Sequence, residues 1–591
     1  MQPISKKYFW SIFFLILAVG LFVRTYHFGP WLHFELDQAR DARVIDAAFQ
    51  GNFWDLPLLG PKAGGTFLRL APGYYYLQYM SGLIFGHDPV GIASFVPLLS
   101  FLLLPLLYLL LRRAFSQTES LGLVALAAVS VYLVLYGRFG WNPNLLPFFL
   151  VLGFYALLRA VEPDNEYKTR WLLGAATALV LATHFHFLAF LAVPAIVVVF
   201  LLLKRPRFSL GAWLGVIGIV AFLYLPMVLN EIEAGGANTR EFFGAITEKS
   251  NKESHTLIEK TIRNVAEFGE STVIVLSGYE GASFPNVVVN SKEWGTVCDK
   301  KCDDGKWYGI AGVLLFLLGW LSLLRGWWKA HNRHASDFYL LALIWLGVSF
   351  ILYLPLSYAV APRFYLLSVP LFFIMLGSIF ENLLTCKPHL KKILLVSFIG
   401  ILVLSNGYFL RHRFVELSQA ATVAVDSAPD RILKERIRVT LEEQENIVAY
   451  LKERQVKSGY PIYMFSEPQH RRALKYLMER QGIQNDVLGF SGVYKEGEYY
   501  LIFRSADNLE DRLTKYLTTY DLIKIHPFGT LSVVELYPKA EFIQGERQDF
   551  TIVDKKADSK APPRYTWREF MDRQSAPPVE DDDTQDEEDT N

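Results

Sequence analysis

Apolar residues in this chain do not alternate with polar ones at the period of a soluble helix or strand; they run in long blocks. A bilayer core of roughly 30 Å takes about 20 apolar residues in helical form, and about eleven blocks meet that length. They begin near Tyr8, Val90, Leu121, Leu145, Trp171, Leu188, Leu210, Tyr308, Phe338, Tyr365 and Ile393. A further stretch, Tyr74 to Phe85, is too short to cross and rich in tyrosine. It reads as a helix lying at the membrane interface, where aromatic rings with polar tips sit.

Basic residues orient these spans. Lys6 and Lys7 precede the first span, Arg112 and Arg113 follow the second, and Lys168 and Arg170 separate the fourth from the fifth. Lys204, Arg205 and Arg207 follow the sixth, Arg325, Lys329 and Arg333 the eighth, and Lys387, Lys391 and Lys392 the tenth. With the tyrosine-rich stretch kept out of the count, all these connections fall on one side, as the positive-inside rule requires. The N-terminus is then cytoplasmic in a multi-pass cell (inner) membrane protein, and everything beyond Leu410 is extracytoplasmic, although Arg411 and Arg413 run locally against the rule. The expected organisation is a membrane domain over 1–410, with outer loops at about 25–89 and 230–307, then an extracytoplasmic domain over 411–550 and a tail over 551–591.

Beyond the last span the periodicity changes. Leu441 to Leu451, Arg471 to Arg480 and Leu509 to Tyr520 read as helices. Pro461 to Phe465, Tyr499 to Phe503, Leu522 to Ile525 and Leu531 to Leu536 read as strands. This mixture predicts a small α/β domain suited to support or acceptor recognition. From Asp554 onward the chain is rich in Pro, Asp and Glu, the composition of a disordered, solvating tail.

Composition sharpens the class. Of 591 residues, 52% are hydrophobic and only 20% charged, with a mean hydropathy of +0.24. That excludes a purely soluble enzyme, a disordered chain or a nucleic-acid-binding module. The net charge of zero is misleading, because Glu580 to Asp589 holds eight acids and leaves the rest of the chain at +8. Cys298 and Cys302 flank three residues of the second outer loop. They read as a disulfide, with free thiols as the alternative; a zinc site would need two more ligands.

Candidate chemistry gathers at the outer face. The first outer loop holds Glu35, Asp37, Gln38, Arg40 and Asp41 at the start of a helix whose apolar stripe is Ala39, Val44, Ala47, Ala48 and Gly51. Asp37 sits where unpaired backbone N–H groups invite a cap, so capping and general-base chemistry are both open readings. Lys62 and Arg69 follow in a Gly- and Pro-rich loop before Tyr74, with lipid headgroups as the plain alternative partner. Arg138, in Arg-Phe-Gly-Trp-Asn-Pro-Asn with Asn142, and Arg363, in Arg-Phe-Tyr with Tyr365, lie in otherwise uncharged short outer loops. A guanidinium there needs an anionic partner, either a phosphate or an internal carboxylate. His184 and His186, two residues apart, cannot chelate one metal from a regular helical turn.

This order of features resembles the GT-C superfamily of membrane glycosyltransferases. Within it the chain is similar to the family 39 group, which includes protein O-mannosyltransferases and lipid A aminoarabinose transferases. The resemblance covers about residues 1–410. It implies a GT-C type α-helical polytopic fold of about eleven transmembrane helices, here with a small C-terminal extracytoplasmic α/β domain. Asp37 matches the family's catalytic Asp, while Gln38 stands where a paired Glu is usual. Arg69 and Pro72 roughly match a basic, Pro-rich stretch, although the usual Lys-Pro-Pro is absent.

What the resemblance implies is transfer of a sugar from a polyprenyl-phosphate-linked donor to a lipid, glycan or protein acceptor hydroxyl at the outer face, with inversion. Asp37, with Gln38 and Asp41, would form the catalytic group. Arg363, Arg138, Arg69 and Tyr365 would hold the donor phosphate, and Glu35, Arg40, Lys62, Tyr74 and Asn142 would contact the acceptor or shape the loop. No cofactor or metal ligand is expected, with a divalent ion as the open alternative. Two rival readings remain: a polytopic lipid or sugar transporter or flippase, which would show repeated halves and charges inside the spans, and a non-catalytic membrane assembly protein.

Overall fold

The computed structural model describes residues 5–573, apart from 65, 250–254, 290–293, 384–387, 425–429, 435–437, 489–491, 506–508 and 549–561. Cys386, Lys387 and the acidic run Glu580–Asp589 lie outside the described residues. Eight helices among those described are long and apolar enough to cross a membrane, and the chain is a multi-pass membrane protein. The other three apolar blocks form shorter or broken helices. Trp171 lies in Lys168–Thr183, the tenth block folds as Pro362–Leu367 followed by Val369–Ser378, and the third is interrupted.

The interruption falls at Ser130, between helices Gln117–Val129 and Val131–Tyr136. A break inside apolar surroundings leaves backbone groups that must find partners. The Asn406 side chain accepts the N–H of Val131 at 2.9 Å and donates to the carbonyl of Leu276 at 2.8 Å, while the Ser130 hydroxyl donates to Val275 at 2.7 Å. The short Val131–Tyr136 helix is thereby held rigidly.

Ion pairs show which connections share an end. Glu162, between the fourth and fifth blocks, pairs with Arg113 after the second and lies 3.4 Å from His334 before the ninth. Lys204, after the sixth, pairs with Asp337, and Lys391, before the eleventh, is 3.5 Å from Glu119. These are the connections that the basic residues place together in the sequence. At the opposite end, Arg138 donates to the carbonyls of Val23 and Tyr26, where helix α1 (Lys6–Thr25) finishes. At Gly140 an added Cβ would meet Ala93, near the start of the next span, at 3.4 Å. The end of α1 and the start of that span therefore lie together, so helix α3 (Gly73–Phe85) between them does not cross. Thirteen residues would reach only about 20 Å at helical rise.

Helix α2 (Leu36–Gln50) fills the rest of the connection between α1 and the second span. Its buried stripe differs from the expected one. Gln38, Ala39, Asp41, Ala42, Ile45 and Ala48 are buried, whereas Ala47 and Gly51 are exposed. In the second outer loop, β1 (Asn286–Val289) pairs antiparallel with β2 (Trp294–Val297), and Cys298 is bonded to Cys302.

The C-terminal segment has an α/β fold. Its sheet contains β3 (Ile462–Ser466), β4 (Asn485–Val487), β5 (Glu498–Arg504), β6 (Tyr520–Phe528) and β7 (Leu531–Pro538) in the order β4-β3-β5-β7-β6. β3 is parallel to β4 and β5, and β7 is antiparallel to β5 and β6. The helix expected to reach Tyr520 stops at Leu513, because Tyr520 begins β6. This domain grips the first outer loop. Leu441 N–H donates to Leu32 O at 3.1 Å, the Gln444 amide to Phe34 O at 2.9 Å, and the Tyr476 hydroxyl to Asp46 on α2 at 2.7 Å.

The reading of 551–591 as one disordered tail fails for residues 562–573, which form a strap against the first outer loop. Pro57 bridges Thr566, the Trp567 indole donates to the Tyr76 hydroxyl at 2.9 Å, and Arg568 forks onto Asp55 at 2.6 and 3.0 Å. Asn230 fastens it by donating to Pro563 O at 3.0 Å and accepting the N–H of Tyr565 at 2.9 Å. Pairing of backbone groups outweighs the polar composition that suggested disorder. Asn230→Ala is expected to leave two strap groups unpaired, at a cost of about 1–3 kcal/mol, and to speed tryptic cleavage after Arg564 and Arg568. Unchanged digestion rates would show that the strap is not held there.

Candidate functional site

The start of α2 decides what Asp37 is free to do. Glu35, not Asp37, is the N-cap, and the Gln38 side-chain oxygen accepts the Glu35 N–H at 3.1 Å, closing a capping box. Gln38, expected beside Asp37 in the chemistry, instead has its amide oxygen committed to the cap and is 8% exposed. Asp37 stands one position inside the helix and is released from capping.

Both oxygens of Asp37 are nonetheless fixed. Trp141 donates its indole N–H to Oδ2 at 3.0 Å, and an Arg40 Nη1 lies 2.9 Å from Oδ1. The side chain stays 43% exposed, so the carboxylate is oriented but open to a reactant. Arg40 also donates twice to Oδ1 of Asp41, at 3.0 and 2.9 Å, and so straddles two acids. Asp41 is fully buried and receives a further bond from the Tyr75 hydroxyl at 3.2 Å. Burial pushes its carboxyl up to about 6, against the opposing charge of Arg40.

Tyr75 joins the first outer loop to more distant basic residues. Its hydroxyl is pushed up to about 12, first by burial and then by Asp41, with Arg40, Arg564 and Arg69 pulling the other way. Arg69 is therefore in the field of the cluster, as is Arg564 of the strap. The Arg69 backbone is clamped by the buried Asn238 amide, which accepts its N–H at 2.7 Å and donates to its carbonyl at 3.0 Å. Lys62 bridges Arg69 in a short antiparallel pair and lies over the Phe67 ring at 4.8 Å. Glu35 lies 4.0 Å from both His33 and His470 of the C-terminal domain.

Four expected contacts have other employment. Arg138 does not face an anion; its guanidinium closes the carbonyl end of α1 and lies over Phe414 at 5.1 Å. Carbonyls at a helix end satisfy a guanidinium as a phosphate would. Tyr365 is fully buried among Phe268, Tyr353 and Phe372, with centroids 5.0, 5.2 and 6.0 Å away, and presents no surface to a donor. Tyr74 is likewise fully buried, its hydroxyl accepting from Gln78 at 3.0 Å. Asn142 donates to Phe185 O at 2.7 Å and fixes the His184–His186 turn without facing the loop.

Arg363 lies on a turn held from both sides. The Pro362 carbonyl before it accepts from Tyr132 at 2.6 Å and the Phe364 carbonyl after it from Tyr353 at 2.6 Å, while its side chain is exposed. The Tyr136 ring stacks at 6.4 Å on Trp141, the residue that holds Asp37. The interrupted third span therefore ties the Arg363 turn to the acid. Trp141 lies within the Arg-Phe-Gly-Trp-Asn-Pro-Asn run, but an indole carries no charge to mark it in the sequence beside Arg138. Tyr75, Asn238 and Arg564 gave no local signal. Among the described residues no group of three His, Cys, Asp or Glu side chains is placed to hold a metal ion.

Comparison with known proteins agrees with this architecture. Residues 70–229 match the family described as dolichyl-phosphate-mannose-protein mannosyltransferase, a segment that contains Trp141 and excludes Asp37 and Arg363. Among solved structures, apo ArnT from Cupriavidus metallidurans is similar at 14% identity and a TM-score of 0.53, covering 90% of this chain and 98% of that one. The same protein bound to undecaprenyl phosphate is similar at 13% identity and a TM-score of 0.50, covering 91% and 98%. A search for sequence relatives among curated proteins finds no match. Helix order, the long first loop with α3 and the appended sheet together give this chain the same fold as these ArnT structures.

Proposed function

We propose that the protein is an inverting glycosyltransferase that moves a sugar from a polyprenyl-phosphate-linked donor to an acceptor hydroxyl at the outer face of the membrane. The observation that carries this reading is Asp37: released from capping, fixed by Trp141 and Arg40, and 43% exposed at the end of the bundle where Arg363 also lies. The match to a mannosyltransferase family and the undecaprenyl phosphate bound by a structure of the same fold support a lipid-phosphate donor. The separation of the basic connections from this end supports an outer placement.

In the proposed reaction Asp37 accepts the proton of the acceptor hydroxyl as its oxygen attacks the anomeric carbon. The bond from that carbon to the phosphate oxygen breaks on the opposite face, and its electron pair leaves with the lipid phosphate. One displacement inverts the anomeric centre. Arg363 stabilises the charge growing on the phosphate, a task for fixed cations that needs no divalent ion. Arg40 and Asp41 hold Asp37 in line; Asp41 balances the guanidinium that would otherwise draw Asp37 into a closed ion pair.

Asp37→Asn is expected to lower transfer by roughly 10²–10⁴-fold, with membrane insertion and donor binding retained, in an assay with purified protein and lipid-linked sugar. Retained turnover would remove Asp37 from the mechanism, and uptake or flipping of lipid untouched by the substitution would favour a transporter. A pH dependence follows from Asp41. With its carboxyl raised to about 6, it is ionised above that pH and takes a proton below it. Protonation leaves Arg40 only Asp37 to bind, so kcat/KM should fall along an acid limb centred near that value. Asp41→Asn should lower the plateau and abolish this limb; an unchanged limb would assign it to another group.

A further inference from the structure

Two turns at this end of the bundle hang from the same helix. Tyr132 and Tyr136 lie one turn apart on Val131–Tyr136, their ring centroids 4.8 Å apart. Tyr132 donates to the carbonyl of Pro362, next to Arg363, and Tyr136 donates to the carbonyl of Ile432, two residues before Lys434. The second turn is held from several sides. Glu280 accepts the N–H groups of Arg431 and Ile432 at 2.5 and 3.2 Å, and Asp430 accepts those of Leu433 and Lys434 at 2.6 and 2.8 Å. The Arg431 guanidinium reaches Glu270 at 2.6 Å. Within this frame Lys434 adopts φ +61°, a region that side-chain-bearing residues rarely enter.

So much anchoring serves a side chain that is itself exposed and, like Arg363, makes no ion pair among the described residues. The two cations feel one another: the Lys434 ammonium is held below its ordinary range by partial burial and then by the charge of Arg363, with Glu267 opposing. Glu267 is itself paired with Arg263. Two cations carried on turns that hang from one helix, each charge within the field of the other, form a site for an anion that both can bind.

We propose that Lys434, from the junction between the last span and the C-terminal domain, joins Arg363 in binding the phosphate of the polyprenyl-phosphate donor. This rests on the donor class proposed above and deepens it. The planar guanidinium and the mobile ammonium would grip different phosphate oxygens, and Tyr132 and Tyr136 set their spacing. The C-terminal domain then takes part in donor binding through its point of attachment.

The test measures binding of undecaprenyl phosphate to full-length protein in phosphatidylcholine nanodiscs, with a parallel arm containing phosphatidylglycerol. Lys434→Ala and Lys434→Gln should each weaken binding about tenfold, the loss of one charge-assisted contact. Lys434→Arg should restore it to within about threefold, and phosphatidylglycerol should change none of these affinities. Thermal unfolding of the variants should match wild type, since the exposed amine is not part of the turn's own hydrogen bonding. Unchanged affinity in Lys434→Ala and Lys434→Gln, with Arg363→Ala weakened, overturns this proposal and leaves the donor class standing. Wild-type protein that binds no undecaprenyl phosphate overturns both. Competition by phosphatidylglycerol at equal strength would make the pair a general headgroup contact and overturn the assignment to the donor.

Discussion

At the Asp37 end of the bundle everything depends on how a single guanidinium is shared. Arg40 lies between Asp37 and Asp41, 2.9 Å from an oxygen of each. One acid is fully buried and the other is partly open, so the pair differ in solvation although they are four residues apart on one helix. Burial makes ionised Asp41 costly and ties it to Arg40; exposure leaves Asp37 hydrated and reachable. An exposed carboxylate would ordinarily swing among rotamers. Here the Trp141 indole holds the second oxygen at 3.0 Å, so the carboxylate keeps one orientation.

That arrangement survives only if α2 stays in place, and the fold supplies braces from distant parts of the chain. The C-terminal domain binds Asp46 on α2 through Tyr476 and Arg480, and the chain before α2 through Leu441 and Gln444. The strap at 562–573 closes the other edge through Asp55, Pro57 and Tyr76. The outer loop is thus a layer clamped between membrane helices and a small sheet. Conformational entropy lost in ordering so long a loop is offset by these contacts together with the burial of Phe34, Ile45 and Leu56 in the main apolar core.

The apolar blocks made the membrane architecture legible, because burial in lipid leaves a length and charge signature that tertiary packing cannot hide. Helix α3 could be recognised as non-crossing from its length and its tyrosines. The break at Ser130 was not legible: no Pro or Gly marks it, and its partner Asn406 lies far along the chain. Sequence shows that a charge is present at a position and leaves its partner to the fold. Arg138 and Arg363 look alike in sequence, yet one closes the carbonyl end of α1 and the other is exposed. Strand β4 is three residues without alternation, too short to show. Lys434 and Arg564 acquire neighbours only through long-range folding, so no local pattern could single them out.

The proposed reaction needs an oriented acid and a lipid phosphate at one end of the bundle. The most direct measurement is a cryo-EM structure of the protein in nanodiscs with bound polyprenyl phosphate. Donor binding at this end predicts phosphate density against Arg363, with an open path from it to the Asp37 carboxylate. Phosphate at the opposite end, beside Arg113 and Lys204, or side chains packed between the lipid site and Asp37, would contradict it.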